Sequence, residues 1–168
     1  MNKKEKGFSL IEILVVLGIV GVLSTFLTPK ISNYLALSKE TKLIATLDSL
    51  RTASEMYQLE KGEALGKEKL QGNLTGEDVE KLKDFFSNGY KDLTKDLENE
   101  TKDILYEIGG SRNKNGDSAV SEEIVYGGKV KFTFKAPTGE VSDGIKIWVI
   151  PTSGVGEYTM KGIKWEDL

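Results

Sequence analysis

The stretch Phe8 to Leu27, FSLIEILVVLGIVGVLSTFL, contains twenty residues and one charged side chain, Glu12. Twenty residues of α-helix rise about 30 Å, which matches the hydrocarbon core of a bilayer. The first seven residues carry three lysines and one glutamate, a net charge of +2. The positive-inside rule therefore places them in the cytoplasm and the residues after this stretch on the other side. We predict one membrane-spanning helix here.

Two ordinary interpretations of this segment fit poorly. A secretory signal peptide needs a small-x-small cleavage site after its apolar core, and Ser24-Thr25-Phe26 does not supply one. A simple uncleaved anchor leaves Glu12 unexplained, because a charged side chain at the centre of a membrane helix costs about 2.5–3.5 kcal/mol on insertion scales. A positive partner in the same environment would offset that cost. Glu12 therefore indicates a functional role for this segment beyond membrane anchoring.

The run Gly7-Phe8-Ser9-Leu10-Ile11-Glu12, after a basic leader, resembles the processing site of type IV pilins and their relatives, the type II secretion pseudopilins and the competence pilins. The resemblance implies a prepilin peptidase that removes residues 1–7 by cutting after Gly7 and then methylates the amino group of Phe8. It also implies that Glu12 pairs with the amino terminus of Phe8 on a neighbouring subunit and so guides assembly. Glycine suits the cleavage position because it lacks Cβ and allows close approach to the backbone.

The same resemblance assigns a role to the segment between Gly21 and Pro29. A proline removes a backbone hydrogen bond and kinks a helix. In pilins, a stretch that begins near a glycine and ends at a proline loses helicity in the filament. Gly18 and Gly21 would also let neighbouring helices approach closely. We expect Gly21 to Pro29 to be a helix break that gives flexibility.

Helical spacing of apolar residues continues beyond Pro29, through Leu43, Leu47 and Leu50. Gly62 is the predicted end of the helix, because glycine terminates helices well. This predicts one helix of about fifty residues, some 80 Å long if straight. Its first half would cross the membrane, and its second half would lie against a globular head. The charged residues expected on its exposed face are Lys39, Glu40, Lys42, Asp48 and Arg51.

The rest of the chain predicts a short helix and an antiparallel sheet. The helix is expected over Glu77 to Asn88, with an extension after Gly89. Period-two patterns predict the strands, and Gly127-Gly128 predicts a hairpin turn. The predicted strands are Ile104 to Ile108, Glu123 to Tyr126, Lys129 to Lys135, Ile145 to Ile150 and Tyr158 to Trp165.

The predicted fold class is therefore α+β, in which a long amino-terminal helix packs against a carboxyl-terminal antiparallel sheet, the fold that the resemblance implies. We expect three regions: the leader at residues 1–7, a transmembrane and assembly segment at 8–29, and a soluble head at 30–168.

The amino-acid composition argues against a catalytic or metal-binding site in the head. The chain has no histidine and no cysteine, which rules out a disulfide and argues against a hydrolytic triad or a zinc site. We expect no catalytic residue, no metal and no cofactor. The segment Asn113 to Ser118 resembles a calcium loop too faintly, and Glu140, Asp143 and Glu157 offer only a weak counterpart to the calcium site of major pseudopilins. Trp148 and Trp165 are expected in the core.

The predicted function is that of a structural filament subunit and not of an enzyme. Its expected partners are the prepilin peptidase, other pilin subunits and the inner-membrane assembly machinery. It would lie in the cytoplasmic membrane before assembly, and in an extracellular or periplasm-spanning filament afterwards. A secretion or DNA-uptake pseudopilin, or a minor pilin that binds DNA or a receptor, is the alternative. Without the leader the net charge falls from −3 to −5, which disfavours nucleic acid, and only Lys129, Lys131 and Lys135 form a basic stripe.

Overall fold

The computed structural model describes residues 8–86, 93, 102–113 and 124–168. The chain divides into two compact units, Met1–Leu35 and Ala36–Leu168. The elements are α1 (Leu10–Lys61), α2 (Gly76–Lys81), a 3-10 turn (Lys83–Phe85), β1 (Leu105–Glu107), β2 (Gly110–Arg112), β3 (Ile124–Tyr126), β4 (Lys129–Thr133), β5 (Trp148–Pro151) and a 3-10 turn (Trp165–Asp167).

Helix α1 confirms the predicted long helix. It contains 52 residues and is helical through Pro29, which lies inside it. It ends where Gly62 adopts a positive φ of 75°. The Gly62 N–H donates to the Gln58 carbonyl at 2.8 Å and closes the last turn.

Burial along α1 begins at Ala36 and recurs every three or four residues through Glu40, Leu43, Leu47 and Leu50. The apolar stripe predicted from the leucines is thus confirmed. The prediction that Glu40 is exposed is wrong, since its side chain is 2% exposed. Glu40 follows Ala36 by four residues and precedes Leu43 by three, so the helical period places it on the buried face whatever its polarity.

The antiparallel prediction is also confirmed. One sheet has the order β1-β4-β5, and a second contains β2 and β3, with every pair antiparallel. Val130 and Phe132 of β4, and Phe134 just after it, are fully buried, as their alternation with lysines predicts. Together with the α1 leucines they belong to one core. Other members of that core are Leu74, Val79, Leu82, Ile104, Ile147 and Val149.

The predicted hairpin about Gly127-Gly128 is wrong. Strands β3 and β4 flank these glycines but do not pair with each other, because β3 pairs with β2 and β4 pairs with β1. The two ladders share one register, so residues 105–112 run antiparallel to 124–131 as one interrupted pair of strands. Gly127 and Gly128, at φ 77° and 111°, bend the second strand at the interruption, where a positive φ favours glycine.

Gly109 occupies the matching interruption in the first strand, and there the sheet meets α1. A Cβ added to Gly109 would lie 2.3 Å from the Ala36 Cα and 2.8 Å from its carbonyl oxygen. Real Cβ atoms do not approach backbone that closely, so only glycine fits. Backbone hydrogen bonds on either side, from Ile108 N to Gly128 O at 3.0 Å and from Gly127 N to Gly109 O at 2.9 Å, hold the bend.

The predicted final strand, Tyr158 to Trp165, is also wrong, and a reversal of the chain takes its place. Tyr158 pairs with Lys164, and Thr159 N donates to the Ile163 carbonyl at 2.8 Å. Gly162, at φ 79°, permits the tight return. We call residues 156–164 the carboxyl-terminal turn. The predicted strand over Ile145 to Ile150 is present as the shorter and later β5.

The predicted short helix is present, but α2 ends at Lys81 and a 3-10 turn follows. Asp78 explains its start, because Oδ2 accepts the Thr75 N–H at 2.9 Å and the Thr75 hydroxyl at 2.7 Å. Lys69 Nζ lies 3.1 Å from the same oxygen. The residues expected to extend the helix after Gly89 lie outside the described part, apart from the buried Leu93.

The Gly109–Ala36 contact generates a stability prediction. We expect Gly109→Ala to lower the free energy of unfolding by about 2–3 kcal/mol, because the new methyl group overpacks a backbone contact. Denaturant unfolding of the full chain in detergent micelles, followed by tryptophan fluorescence, measures this, since Trp148 and Trp165 are both 3% exposed.

The matched control is Gly154→Ala. Gly154 has φ 85°, and an added Cβ meets no atom within 4 Å, so this change adds only backbone strain of about 1–2 kcal/mol. If Gly109→Ala costs less than this control, the close contact with α1 does not restrain that position.

Candidate functional site at the start of helix α1

Ser9 and Glu12 form a reciprocal cap at the start of α1. The Ser9 backbone N–H donates to Glu12 Oε2 at 2.7 Å, and the Glu12 N–H approaches Ser9 Oγ at 3.3 Å. This is the capping box S-x-x-E, in which two backbone donors without helical partners are satisfied by two side chains. Both residues follow the predicted cut after Gly7, so cleavage would leave the box intact.

The capping box explains how an acidic residue can lie in the first turn of an apolar helix. Lipid offers no water to the free N–H groups of a helix start, so partners for them must come from the protein. One carboxylate oxygen of Glu12 serves this purpose. The other oxygen, Oε1, makes no hydrogen bond with the described residues and can accept a donor from another chain.

Phe8 and the apolar residues of α1 that follow it lie on the surface. Phe8 is 84% exposed, and every apolar side chain from Leu10 to Leu27 is exposed as well. An apolar surface of this extent marks a membrane or protein contact. Within the described residues, α1 is the one helix whose length and composition suit a membrane span. The amino-terminal part of α1 is therefore a candidate membrane span.

Three hydroxyl groups bond to helix carbonyls between Gly21 and Pro29. Ser24 Oγ donates to the Val20 carbonyl at 2.8 Å, Thr25 Oγ1 to the Gly21 carbonyl at 3.1 Å and Thr28 Oγ1 to the Ser24 carbonyl at 2.8 Å. Pro29 has no N–H to donate to the carbonyl one turn before it. The segment thus combines a missing helical bond with hydroxyl donors that satisfy carbonyls without water.

Gly7 and the rest of the leader lie outside the described residues. Gly18 and Gly21 lie within them, and an added Cβ at either position meets nothing within 4 Å. Both glycines therefore present open backbone on the helix surface, where another helix can approach.

One lysine of the predicted basic stripe, Lys131, is paired with an acid. Lys131 Nζ lies 2.8 Å from Asp103 Oδ2, and this ion pair, with a hydrogen bond from Asn73, lowers the pKa of Asp103. Lys129 stands opposite Glu107 in the β1–β4 register. Opposite charges beside the stripe weaken its attraction for phosphate groups.

Two of the three acids considered for calcium have other partners. Asp143 Oδ1 accepts the N–H groups of Ile145 and Lys146 at 2.8 and 2.9 Å, and Glu140 pairs with Lys146 at 3.4 Å. Glu157 lies on the carboxyl-terminal turn and is exposed. Most of the candidate loop from Asn113 to Ser118 lies outside the described residues. Within the described part, no three acidic side chains form a cluster that could hold a metal ion.

Both tryptophans belong to the core, as predicted. Trp165 Nε1 donates to the Gly156 carbonyl at 2.8 Å. Trp148 packs in the sheet, and the Lys146 ammonium lies 5.1 Å from its ring centroid. Neither residue offers a broad exposed aromatic surface.

Comparisons with known proteins agree with this site. A family model described as the prokaryotic N-terminal methylation motif matches residues 2–28. The chain is 36% identical over 64 residues to the type IV major fimbrial protein FimA of Dichelobacter nodosus, covering 38% of this chain and 41% of that protein. It is 42% identical over 59 residues to the prepilin peptidase-dependent protein D of Escherichia coli strain K12, covering 35% and 40%.

A fimbrial protein of Pseudomonas aeruginosa is 36% identical over 58 residues, covering 34% of this chain and 38% of that protein. These alignments thus span about 40% of the relatives' length. No solved structure matches. The fold and the amino-terminal site define an α+β protein with a long helix, whose amino-terminal part is a candidate membrane span. Through this amino-terminal segment, the chain is similar to type IV fimbrial proteins and to a prepilin peptidase-dependent protein.

Sequence reasoning missed two residues that the structure makes important. Ser9 could have been found, because S-x-x-E directly before an apolar run is the capping-box pattern. Glu40 carries a weaker signal, namely its place on the stripe between Ala36 and Leu43. Its glutamate identity hides that signal, since acids on helices are usually solvated.

The capping box generates a local prediction. Ser9→Ala removes the acceptor of the Glu12 N–H, and loss of such a cap typically costs about 1 kcal/mol. We expect the Glu12 amide to exchange with solvent about fivefold faster in micelles, as measured by NMR. Ser9→Thr keeps a hydroxyl and should restore slow exchange. Equal exchange in the alanine variant would show that Ser9 is not the cap.

Proposed function

We propose that the chain is a structural subunit of a type IV pilus-like filament. The observation that carries this proposal is Glu12, an acid at the start of an exposed apolar helix with one oxygen in the Ser9 cap and the other available. Such a group suits a single positive partner inside lipid or inside a bundle of apolar helices. In this proposal the partner is the amino terminus of Phe8 on a neighbouring subunit, and the family likeness supports that choice.

Removal of residues 1–7 creates the positively charged partner of Glu12, the amino group of Phe8. Prepilin peptidase cuts between Gly7 and Phe8 at the cytoplasmic face and methylates the new amino group. The product keeps its apolar helix and stays in the membrane until the inner-membrane assembly machinery extracts it. Residues 1–7 are then the leader, 8–29 the anchor and assembly segment, and 30–168 the exported head.

Pairing would set the register between subunits. A carboxylate and an ammonium group in a low-dielectric environment attract strongly only at short distance, and an unpaired member is costly. Because the Ser9 cap holds the carboxylate toward the helix start, the neighbour's amine is satisfied at one axial position. Apolar packing supplies most of the contact area, and the ion pair selects its alignment.

The segment from Gly21 to Pro29 can lengthen within such a filament. Pro29 already leaves one carbonyl without its helical donor, and hydroxyls of Ser24, Thr25 and Thr28 bond to three others. These hydroxyls lower the cost of local unwinding where water is absent. Unwinding here gives a filament that extends under load.

The alternative is a pseudopilin of a secretion or DNA-uptake system, which would use the same processing and the same ion pair. Filament length seen by electron microscopy separates the two. A minor pilin that binds DNA through β4 is less favoured, because acids lie beside Lys129 and Lys131. An enzymatic role is less favoured still, because histidine and cysteine are absent from the sequence. An activity screen of the full chain tests it.

Mass spectrometry of the native protein tests the processing. We expect an amino terminus at Phe8 that carries one methyl group, because Gly7 exposes the peptide bond just before the apolar helix. Gly7→Val should leave the chain beginning at Met1, since a β-branched side chain blocks close approach to the backbone. Cleavage at any other bond in the unaltered chain would contradict the proposal.

The role of Glu12 is tested by two substitutions. Glu12→Gln keeps an oxygen for the Ser9 cap and loses the charge, so we expect membrane insertion and cleavage to persist while filament yield falls more than roughly tenfold. Glu12→Ala loses both properties and should be at least as defective. Sheared filaments are quantified at matched membrane levels. Normal filaments from the glutamine variant would refute the charge pair.

A further inference from the structure

Glu40 is a buried acid with only half of its carboxylate satisfied. It is 2% exposed, and Oε2 accepts the Met160 N–H from the carboxyl-terminal turn. Its other oxygen, Oε1, is buried and has no hydrogen-bond partner among the described residues. A buried acceptor without a donor costs free energy, and the cost rises when the group carries a charge.

Asp78 provides the contrast within the same core. It is also fully buried, but both of its oxygens have donors, from Thr75 and from the ammonium group of Lys69. Glu40 has no ion pair of this kind in the described structure. Evidently the fold can satisfy a buried acid completely, and it does not do so for Glu40.

The surroundings of Glu40 favour its protonated form. Burial raises the pKa of Glu40 above its ordinary value of 4.5. The Met160 amide, the positive charge of Lys161 and the Thr159 hydroxyl act in the opposite direction without cancelling the effect of burial. Among the described residues, Lys161 is the charged side chain that acts on Glu40, and its own side chain is exposed.

The carboxyl-terminal turn contacts α1 through this hydrogen bond. At its base, Tyr158 exchanges two backbone hydrogen bonds with Arg112 of β2, at 2.8 and 3.0 Å. At its tip, residues 159–163 bond mainly to one another, and Met160 is 1% exposed. The chain has no cysteine, so no disulfide closes the turn. The bond from the Met160 N–H to Glu40 Oε2 links the tip of the turn to the helix.

We infer that Glu40 is a proton-controlled clamp that docks the carboxyl-terminal turn onto helix α1 more tightly in acid than at neutral pH. When the carboxyl group is neutral, Oε2 can still accept the Met160 N–H while the buried charge is removed. When it is ionised, the charge remains buried beside an unsatisfied oxygen. Exposed side chains of the turn, including Lys161, Ile163 and Lys164, therefore present a surface whose order depends on pH.

The direction of the pH dependence follows from the difference between the folded and unfolded pKa values of Glu40. The folded pKa lies above the unfolded value, so the folded state binds more protons in the interval between them. The stabilising contribution is full below about pH 4.5 and is lost as the pH rises through the raised pKa of the folded state. Most acids in ion pairs, such as Asp103 with its lowered pKa, act in the opposite sense. The inference does not depend on the proposed filament role.

Amide hydrogen exchange of the full chain in micelles tests the clamp. We expect the protection factor of the Met160 amide in the unaltered chain to rise as the pH falls from 7 toward 4.5, by at most about tenfold per pH unit. Glu40→Gln mimics the neutral acid. It should show high protection at pH 7 and little change with pH.

Glu157→Gln is the matched control, because Glu157 is an exposed glutamate on the same turn. It should keep the pH dependence of the unaltered chain. The inference is overturned if the unaltered chain and Glu40→Gln show the same pH profile, whether flat or sloped. It is also overturned if Met160 protection in the unaltered chain falls in acid while Glu40→Gln stays constant.

Discussion

The structure depends on one helix that must satisfy two different environments in succession. From Leu10 to Leu27 the apolar side chains of α1 are exposed on all sides, as suits lipid or other helices. From Ala36 onward only one stripe is apolar, as suits a protein core with water opposite. The helical hydrogen-bond pattern is common to both regions, so the side chains alone decide what each region contacts. The sheet, the short helix and the carboxyl-terminal turn complete the core around the second region.

Polar groups on this helix are placed where the backbone or the core gives them partners. Ser9 and Glu12 satisfy the donors at its start, and three hydroxyls bond to carbonyls near Pro29. Glu40 instead accepts an amide from a distant part of the chain. The same residue type thus serves as a cap with a free oxygen at one position and as a buried anchor at another. Only the surroundings distinguish these roles.

The errors in predicting the head have a common physical cause. Gly127-Gly128 has the composition of a hairpin turn, but its positive φ values bend a strand whose two halves pair with residues far back in the chain. Tyr158 to Trp165 has the alternation of a strand, but its local bonds close a turn. Strand partners and chain reversals depend on contacts between distant residues, and periodicity within a short window does not contain them.

The sequence by itself determined the length and end of α1, its apolar segment, the leucine stripe and the candidate assembly residues Phe8 and Glu12. These are local properties, because helix period, capping pattern and hydropathy are set by neighbouring residues. The tertiary structure decided that Gly109 must lie against Ala36, that Lys131 pairs with Asp103 and that Glu40 is buried. Each of these depends on which distant backbone or charge comes within a few ångströms, and folding alone brings them together.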